Sequence, residues 1–272
     1  MIKVAAVQFH SKENMEENFQ KSLRFIELAA EKGAKLIAFP ELFLTHWFPS
    51  EISERSFSLA ISLKSSYHKF YKELSKRYKI VLVIPFFERY RRACYNSTAV
   101  FDNGRLSGVY RKVHLPSIPY WEEKYYFKSG NEFPVFETSL GVLGIQTCWD
   151  NFFFEGYRSL ALKGAKLVIT PTASAYQTQS RWRMVIATHA LLNNIFILRV
   201  NRVGKERHQE FYGNSFLVGP DGILIGKPAG SLEGIFVSEL DFALINRIRK
   251  YFPLLGGRKP ECYKKICEEI DE

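Results

Sequence analysis

Two segments of the chain, residues 32–40 and 163–171, have closely similar sequences. The first reads Lys-Gly-Ala-Lys-Leu-Ile-Ala-Phe-Pro and the second reads Lys-Gly-Ala-Lys-Leu-Val-Ile-Thr-Pro. Each follows a predicted strand–helix unit, and each continues as an apolar strand that ends at a proline. This similarity favours a chain built from two alike halves, each of which supplies a β layer and an α layer.

Predicted strands and helices alternate along the whole chain, which indicates an α/β protein. Amphipathic patterns predict helices over residues 14–32 and 56–78, and Gly-Pro-Asp-Gly at 219–222 predicts the turn of a hairpin over residues 213–226. No linker or low-complexity segment interrupts this order, so we expect residues 1–272 to form one domain. Its last part, residues 251–272, is a charged tail.

The composition excludes several classes of protein. The chain has no run of about eighteen apolar residues, so we expect no membrane span and no membrane partner. The formal net charge is +10, but the basic residues are spread out and no nucleic-acid-binding motif accompanies them, so we expect no nucleic-acid partner. The four cysteines have neither disulfide-like nor zinc-ligand spacing, which favours a cytoplasmic protein with reduced thiols and no metal.

Three residues with complementary chemistry directly follow predicted strands: Glu41, Lys112 and Cys148. Ligand sites of α/β proteins commonly lie at such strand ends. A cysteine nucleophile needs a base to take its proton, and a glutamate can do so. The oxyanion formed by attack on a carbonyl carbon needs a positive charge, which a lysine provides.

Cys148 lies at a predicted strand-to-helix turn. Free backbone N–H groups and the positive end of the helix dipole would stabilise a thiolate there. Asp150 or Asn151 would cap the predicted helix over residues 156–162. A lone cysteine is more often a small buried apolar residue, but the combination with a glutamate and a lysine at other strand ends favours a catalytic site.

The sequence resembles the carbon–nitrogen hydrolase (nitrilase) superfamily from residue 3 to about residue 263. The motifs that carry this resemblance are Phe-Pro-Glu-Leu-Phe (39–43), Tyr-Asn-Ser (95–97), Tyr-Arg-Lys-Val-His-Leu-Pro (110–116), Thr-Cys-Trp-Asp (147–150) and Phe-Tyr-Gly-Asn-Ser (211–215). The resemblance implies a four-layer αββα sandwich. It also implies a small amide or N-carbamoyl substrate, whose non-peptide C–N bond is cleaved through a cysteine thioester with release of ammonia, and no cofactor.

Carried onto this chain, the family pattern makes Cys148 the nucleophile, Glu41 the general base and Lys112 the stabiliser of the oxyanion. The backbone N–H of Trp149 would complete the oxyanion site. The resemblance also implies a homo-oligomer, in which residues 251–263 resemble the segment that crosses to a partner subunit.

A second glutamate of the family pattern matches Glu123, with Glu122 as the alternative. It would position the triad or assist proton transfer. The remaining histidines near the motifs are interpreted as structural and the remaining cysteines as inert: His46, His114, His189, Cys94, Cys262 and Cys267.

Within the superfamily, residues 112–127 and 211–215 most resemble N-carbamoylputrescine amidase and related N-carbamoyl amidases. Relatives that bind a carboxylate carry arginines just after the nucleophile, where this chain has Asn151 and Phe152, which argues against a carboxylate clamp at that position. Tyr120 stands where a glycine is common. The pocket is expected to involve Trp47, Trp121, Asn151, Phe152 and Thr172. Alternatives are an aliphatic amidase or ω-amidase, and a binding protein of the same fold without activity.

Overall fold

The computed structural model describes residues 1–269, in which two β-sheets are stacked between two layers of helices. The strands are β1 (Ile2–Gln8), β2 (Leu36–Ala38), β3 (Val81–Tyr90), β4 (Ala93–Asp102), β5 (Arg105–Arg111), β6 (Ser117–Ile118), β7 (Trp121–Glu122), β8 (Val135–Thr138), β9 (Gly141–Ile145), β10 (Leu167–Thr172), β11 (Phe196–Asn201), β12 (Val203–Glu206), β13 (Gln209–Tyr212), β14 (Phe216–Val218) and β15 (Gly234–Leu240). The helices are α1 (Met15–Glu31), α2 (Ser66–Tyr78), α3 (Glu123–Tyr126), α4 (Phe154–Leu162), α5 (Gln179–Asn193) and α6 (Ala243–Tyr251). Short 3₁₀ helices occupy Phe48–Ser50, Glu54–Leu59, Cys148–Phe152, Tyr176–Thr178, Pro260–Cys262 and Lys264–Cys267. No helix in this part of the chain is long and apolar enough to cross a membrane.

The two sheets have related topologies. One has the strand order β15-β1-β2-β3-β4-β5 and the other β14-β11-β10-β9-β8. Three neighbouring strands run parallel in each sheet (β1, β2 and β3; β9, β10 and β11), and antiparallel strands flank them. The two similar sequence segments take equivalent places, because Gly33 (φ +84°) and Gly164 (φ +91°) end α1 and α4 in the left-handed region and the strands β2 and β10 follow.

An apolar cluster fills the space between the sheets, and helices cover each outer face. Along β1, Val4 and Ala6 belong to the cluster between the sheets, whereas Ala5 and Val7 belong to the cluster under α1 and α2. Alternate residues of a strand point to opposite faces, so one strand serves both layers. Helices α4 and α5 cover the other sheet through a third cluster. The predicted four-layer αββα sandwich is confirmed.

The helix predicted over residues 56–78 is wrong in its first part, because α2 begins only at Ser66. Ile61 instead lies against β3. Its N–H donates to the carbonyl of Phe87 at 2.9 Å, and its own carbonyl accepts from the N–H of Arg89 at 2.9 Å. This pairing between distant parts of the chain outweighs the local helical pattern.

The hairpin predicted over residues 213–226 is shorter than expected. The segment after its turn pairs with β14 through one isolated bridge, between Val218 and Leu224. The neighbouring hairpin of β12 and β13 was not predicted. Its turn includes Arg207 at a φ of +46°, and no glycine marks that position in the sequence.

The described part of the C-terminal tail, up to residue 269, lies on the surface beside α4. Together with α4 and α5 it forms a groove of about 550 Å³. Apolar side chains on both sides of this groove are exposed to solvent, among them Phe154, Leu162, Leu192, Leu254, Tyr263 and Ile266.

Candidate active site

The four predicted catalytic side chains come from different elements and are all buried. Glu41 follows β2 and Lys112 follows β5 in one sheet, whereas Cys148 follows β9 in the other. Glu123 is the first residue of the short helix α3. The strand ends of both sheets therefore deliver complementary groups to one location, as expected for a site at the edge of an α/β sandwich.

Lys112 is the centre of this cluster. Its Nζ donates to Glu41 Oε1 at 2.8 Å and to both oxygens of Glu123 at 2.7 and 2.8 Å. Asn96, on β4, donates to Glu41 Oε1 at 2.7 Å and more weakly to Glu123 at 3.4 Å. Glu41 Oε2 accepts no hydrogen bond from a described residue. One oxygen of Glu41 is thus fixed in place, and the other is available to accept a proton.

The buried charges of the cluster shift one another's proton affinities. Burial by itself lowers the pKa of Lys112, but the nearby charges of Glu123, Glu41 and Cys148 outweigh it, so its pKa is raised and the lysine stays protonated. Burial raises the pKa of Glu123 to about 8, although Lys112 acts in the opposite direction. At neutral pH much of Glu123 therefore carries a proton, and Lys112 is balanced mainly by Glu41.

We expect Glu123 to make the stability of the protein depend on pH. Its pKa rises from an ordinary value of 4.5 to about 8 on folding, so the folded protein holds a proton that the unfolded chain releases. The stability from this proton is complete below pH 4.5 and is lost as the pH rises through about 8. In urea unfolding at pH 5, 7 and 9, the wild type should lose stability relative to the Glu123→Gln variant as the pH rises. A difference that stays constant over this range would contradict the assignment.

The loop that carries Glu41 is held by a buried arginine. Arg202 donates to the backbone carbonyls of Glu41 at 2.9 Å and Leu42 at 3.0 Å, and it pairs with Glu206 at 2.7 Å. Leu42 has a φ of +50°, which is unfavourable for a side chain with a Cβ. The unpredicted hairpin of β12 and β13 supplies Glu206 and so supports the position of Glu41.

Cys148 also has a left-handed backbone, with a φ of +45°. Such strain, of about 1–3 kcal/mol, persists only where the surroundings enforce it, and it is frequent at functional sites. Asp150 accepts a hydrogen bond from the backbone N–H of Thr147 at 3.2 Å and so fixes the start of the 3₁₀ helix that begins at Cys148. The prediction that Asp150 or Asn151 caps a helix over residues 156–162 is wrong, because Phe153 is the N-cap residue of α4. Both polar side chains instead fix the turn of Cys148.

The structure also corrects the expected ionisation of Cys148. Burial raises the pKa of its thiol well above the usual value, and the Glu41 carboxylate raises it further. Lys112 and a backbone hydrogen bond from Ala173 act in the opposite direction without cancelling the effect. The helix that follows at once is a five-residue 3₁₀ helix, which has little dipole to offer. The resting cysteine is therefore a thiol that needs a base.

Asp150 is buried and accepts hydrogen bonds from several residues, a role that the sequence did not identify. One of its oxygens accepts from the backbone N–H of His114 at 2.8 Å and lies 2.9 Å from His114 Nδ1. The other accepts from the hydroxyl of Tyr110 and from the N–H of Thr147. The ring of His114 stacks on Phe153 at 3.6 Å between centroids. This network joins the strand that precedes Lys112 to the turn of Cys148. His114 has a structural role in it, as the sequence predicted.

A small cavity of about 40 Å³ adjoins the cysteine. This Cys148 cavity is lined by Pro116, Ile118, Trp121, Cys148, Trp149, Phe152, Ala173, Ser174, Thr178 and Trp182. Two of the predicted pocket residues, Trp121 and Phe152, are among them. Trp149, expected to supply an oxyanion N–H, lies there too. The sequence did not single out Trp182 or Ser174, because α5 and the end of β10 reach this wall only through the fold.

Three predicted pocket residues do not line the Cys148 cavity. Asn151 donates to the carbonyl of Cys148 at 2.7 Å and so braces the turn. The hydroxyl of Thr172 lies 3.1 Å from both the carbonyl oxygen of Val200 and the side-chain oxygen of Asn201 on β11, and it donates to this pair. Trp47 contacts the backbone of Tyr120 instead.

Trp47 donates from its indole Nε1 to the backbone carbonyl of Tyr120 at 2.9 Å. Tyr120 has a φ of +69°, which explains why a glycine is favourable at this position of the family pattern. The ring of Tyr120 stacks against His208 at 5.7 Å between centroids. Trp47 therefore holds the loop that carries Tyr120, the position at which the family pattern commonly has a glycine.

The structure gives other partners to two of the histidines interpreted as structural. His189 contacts the carbonyl of Asn151 at 3.0 Å, and His46 lies 3.1 Å from a carboxylate oxygen of Glu13. Glu122, the alternative to Glu123, is only half-buried and is the last residue of β7. The cysteines Cys94, Cys262 and Cys267 are unpaired. Within residues 1–269, no group of three or more His, Cys, Asp or Glu side chains could hold a metal ion.

Comparison with known proteins connects this geometry to a family. The profile of the carbon–nitrogen hydrolase family matches residues 3–250. The chain is 38% identical to the citrullinase of Francisella tularensis subsp. tularensis, over 97% of this chain and 98% of the relative. It is 34% identical to the N-carbamoylputrescine amidase of Solanum lycopersicum, over 98% of this chain and 95% of the relative.

Solved structures agree with these sequence matches. A carbon–nitrogen hydrolase from Helicobacter pylori G27 superposes with a TM-score of 0.92 at 27% identity, over 99% of both chains. A glutamate-to-glutamine variant of the amidase from Nesterenkonia sp. AN1 superposes with a TM-score of 0.83 at 25% identity, over 97% of this chain and 96% of that one. That variant shows covalent addition of the acetamide moiety of fluoroacetamide at its active-site cysteine. By fold, by sequence and by the profile over residues 3–250, the chain belongs to the carbon–nitrogen hydrolase family.

Proposed function

We propose that this carbon–nitrogen hydrolase acts on small linear molecules that end in a ureido group, and that Cys148, Glu41 and Lys112 carry out the reaction. Citrulline and N-carbamoylputrescine, named by two relatives, both end in such a group. The observation that carries the proposal is a buried thiol beside a carboxylate with one unpartnered oxygen and a protonated lysine. The small cavity accepts the reacting end of a small molecule.

The first half of the proposed reaction forms a covalent intermediate. Glu41 takes the proton of the Cys148 thiol as sulfur attacks the carbamoyl carbon. Lys112 and the backbone N–H of Trp149 stabilise the resulting oxyanion. Glu41 then gives the proton to the terminal nitrogen, the C–N bond breaks, and ammonia leaves. The carbamoyl carbon remains bound to sulfur as a thiocarbamate ester.

The second half of the proposed reaction restores the enzyme. Glu41 takes a proton from a water molecule, which attacks the thiocarbamate carbon and displaces the sulfur. The proton returns to the Cys148 sulfur, so the thiol is regenerated. The released N-substituted carbamate decomposes to carbon dioxide and an amine. Glu123, largely protonated at neutral pH, leaves Lys112 free to balance the charge that moves between Glu41 and the oxyanion.

Simple carboxamides are the second candidate substrates, because solved structures similar to this chain are amidases. The same three groups would form a thioester with loss of ammonia, and water would release a carboxylic acid. The chemistry at sulfur is the same, so the two candidates differ only in what the cavity and its surroundings bind.

We also propose that the protein forms a homo-oligomer and is located in the cytoplasm. Exposed apolar side chains of the tail, including Leu254, Tyr263 and Ile266, line the groove beside α4, and such surfaces favour contact with another subunit. The four unpaired cysteines suit a reducing compartment. Light scattering of the purified protein tests the oligomeric state, since the mass of a monomer would contradict the proposed homo-oligomer.

Ammonia release from a matched panel tests the proposed function. Pentylurea and citrulline represent ureido compounds, and hexanamide and glutamine represent carboxamides. We expect release from the ureido compounds with a higher kcat/KM than from the carboxamides. Release from carboxamides alone would overturn the ureido assignment and leave the triad in place. Release that survives in the Cys148→Ala variant would overturn the assignment of the triad.

A further inference from the structure

Arg199, on β11, is a fully buried arginine that no part of the proposed mechanism uses. Its guanidinium donates to the hydroxyls of Ser174 and Tyr212, the latter at 2.8 Å. It also donates to the carbonyls of Asn214 at 3.2 Å and, weakly, Gly213 at 3.5 Å. All these acceptors are neutral, and Nε has no partner among the described residues.

The other buried cations of the described chain are differently placed. Lys112 contacts two carboxylates, and Arg202 pairs with Glu206. Arg199 forms no ion pair with a described residue, so its positive charge is uncompensated. Burial of such a charge is costly unless an anion approaches it. Consistent with this, burial lowers the pKa of Arg199.

The uncompensated charge lies directly behind the wall of the Cys148 cavity. Ser174, which accepts from Arg199, lines that cavity, and so does Trp182, whose ring centre is 4.8 Å from the guanidinium carbon. A charge on Cys148 is close enough to raise the pKa of Arg199. Charges interact strongly across such a buried region, because little water screens them.

No aspartate or glutamate is among the residues that line the cavity, so no carboxylate of the lining offsets this positive charge. Aromatic rings could attract a cation, but the ring of Trp182 already contacts the guanidinium of Arg199. Trp121, Trp149 and Phe152 remain as the competing attraction for an ammonium group.

We propose that Arg199 makes the Cys148 cavity selective for substrates that carry a carboxylate, and that it disfavours those that carry an ammonium group. This inference rests on the proposed function and specifies its substrate class. The positions just after the nucleophile, Asn151 and Phe152, carry no charge, so the positive charge comes from β11 instead. Arg199 acts from behind Ser174 and Trp182 and is a determinant of specificity.

Three ureas with the same methylene chain test this inference: δ-ureidovalerate, pentylurea and N-carbamoylputrescine, which end in a carboxylate, a methyl and an ammonium group. For the wild type we expect kcat/KM to fall in that order, with at least about a tenfold difference between the first and last. Arg199→Met should reduce this ratio by about tenfold, whereas Arg199→Lys should keep most of it. Ratios within one variant cancel effects on the shared chemistry.

Two outcomes would overturn the inference: a wild type that prefers N-carbamoylputrescine, or a ratio that Arg199→Met leaves unchanged. If no urea reacts, the proposed function fails, and the same charge series built on amides then tests Arg199 separately. A measurement without any variant gives a second test. Valerate should protect Cys148 from labelling by fluoroacetamide better than pentylamine does. Equal protection, or better protection by pentylamine, would also overturn the inference.

Discussion

Replacing Cys148 with alanine is expected to lower kcat for ammonia release by at least about 10⁴-fold, while the protein remains folded. The reaction runs through a bond to the Cys148 sulfur, and no other described side chain in the cavity offers a comparable nucleophile. The substitution removes one small atom from the site, so the midpoint of urea unfolding should change little. Steady-state ammonia release and unfolding are measured on the same preparation.

Cys94→Ala is the matched control for this experiment. Cys94 is also a buried, unpaired cysteine, but it lies on β4 away from the Cys148 cavity. Its variant should keep ammonia release within about twofold of the wild type. A Cys148→Ala variant that retains more than a tenth of the wild-type rate would contradict the covalent mechanism.

Replacing Lys112 with methionine is expected to have the largest effect on stability. The lysine is fully buried between Glu41 and Glu123, and its removal leaves the Glu41 carboxylate without a positive partner and takes away the charge that opposes protonation of Glu123. Breaking a buried pair in this way costs about 3–5 kcal/mol. Without the opposing charge of Lys112, the pKa of Glu123 would rise further above its ordinary value. The destabilisation should therefore be larger at pH 9.5 than at pH 8, because the variant still loses stability in this range while Glu123 of the wild type has already released its proton.

Urea unfolding of Lys112→Met at the two pH values measures this effect. A double variant with Glu123→Gln is the control, since it removes the titrating group and should lose the same amount of stability at both pH values. Ammonia release should be lost in both variants, because neither can balance the oxyanion. An equal loss of stability at both pH values would contradict the charge balance that we assign to the cluster.

The layers of the fold were predictable because they depend on local patterns. The alternation of apolar strands with amphipathic helices, together with the similar segments that end in Pro40 and Pro171, indicated two alike halves. Residues such as Val4 and Ala5 show why one apolar strand can serve two layers. The family motifs then specified that two sheets stack face to face. Ile61 was misassigned because its pairing with β3 is set by tertiary contacts.

The grouping of residues at the centre of the site was also predictable, because each residue lies in its own short motif. The structure buries Glu41, Lys112, Glu123 and Cys148 and joins the first three through hydrogen bonds, and their catalytic roles stay predictions. Their ionisation was less predictable. The pKa of Cys148 depends on burial by distant elements, and a turn read from sequence alone suggested a thiolate where the structure favours a thiol.

The residues that support the site come from unrelated parts of the chain. Arg202 reaches the carbonyl of Glu41 across a large sequence separation, and Arg199 reaches Ser174 in the same way. Nothing in the sequence around these arginines indicates a role, because the role of each arginine depends on the residues that the fold packs against it. Thr172 shows the converse: its neighbours in the chain, Ala173 and Ser174, line the cavity, and its own side chain points to β11.

Labelling with fluoroacetamide tests most directly the claim that Cys148 is the nucleophile of this hydrolase. The wild-type protein is labelled to increasing extents, and mass spectrometry of its peptides gives the fraction modified at each cysteine. We expect one acetamide group to be added at Cys148 and ammonia release to fall in proportion to the modified fraction. Ammonia release that persists after Cys148 is fully modified would contradict it.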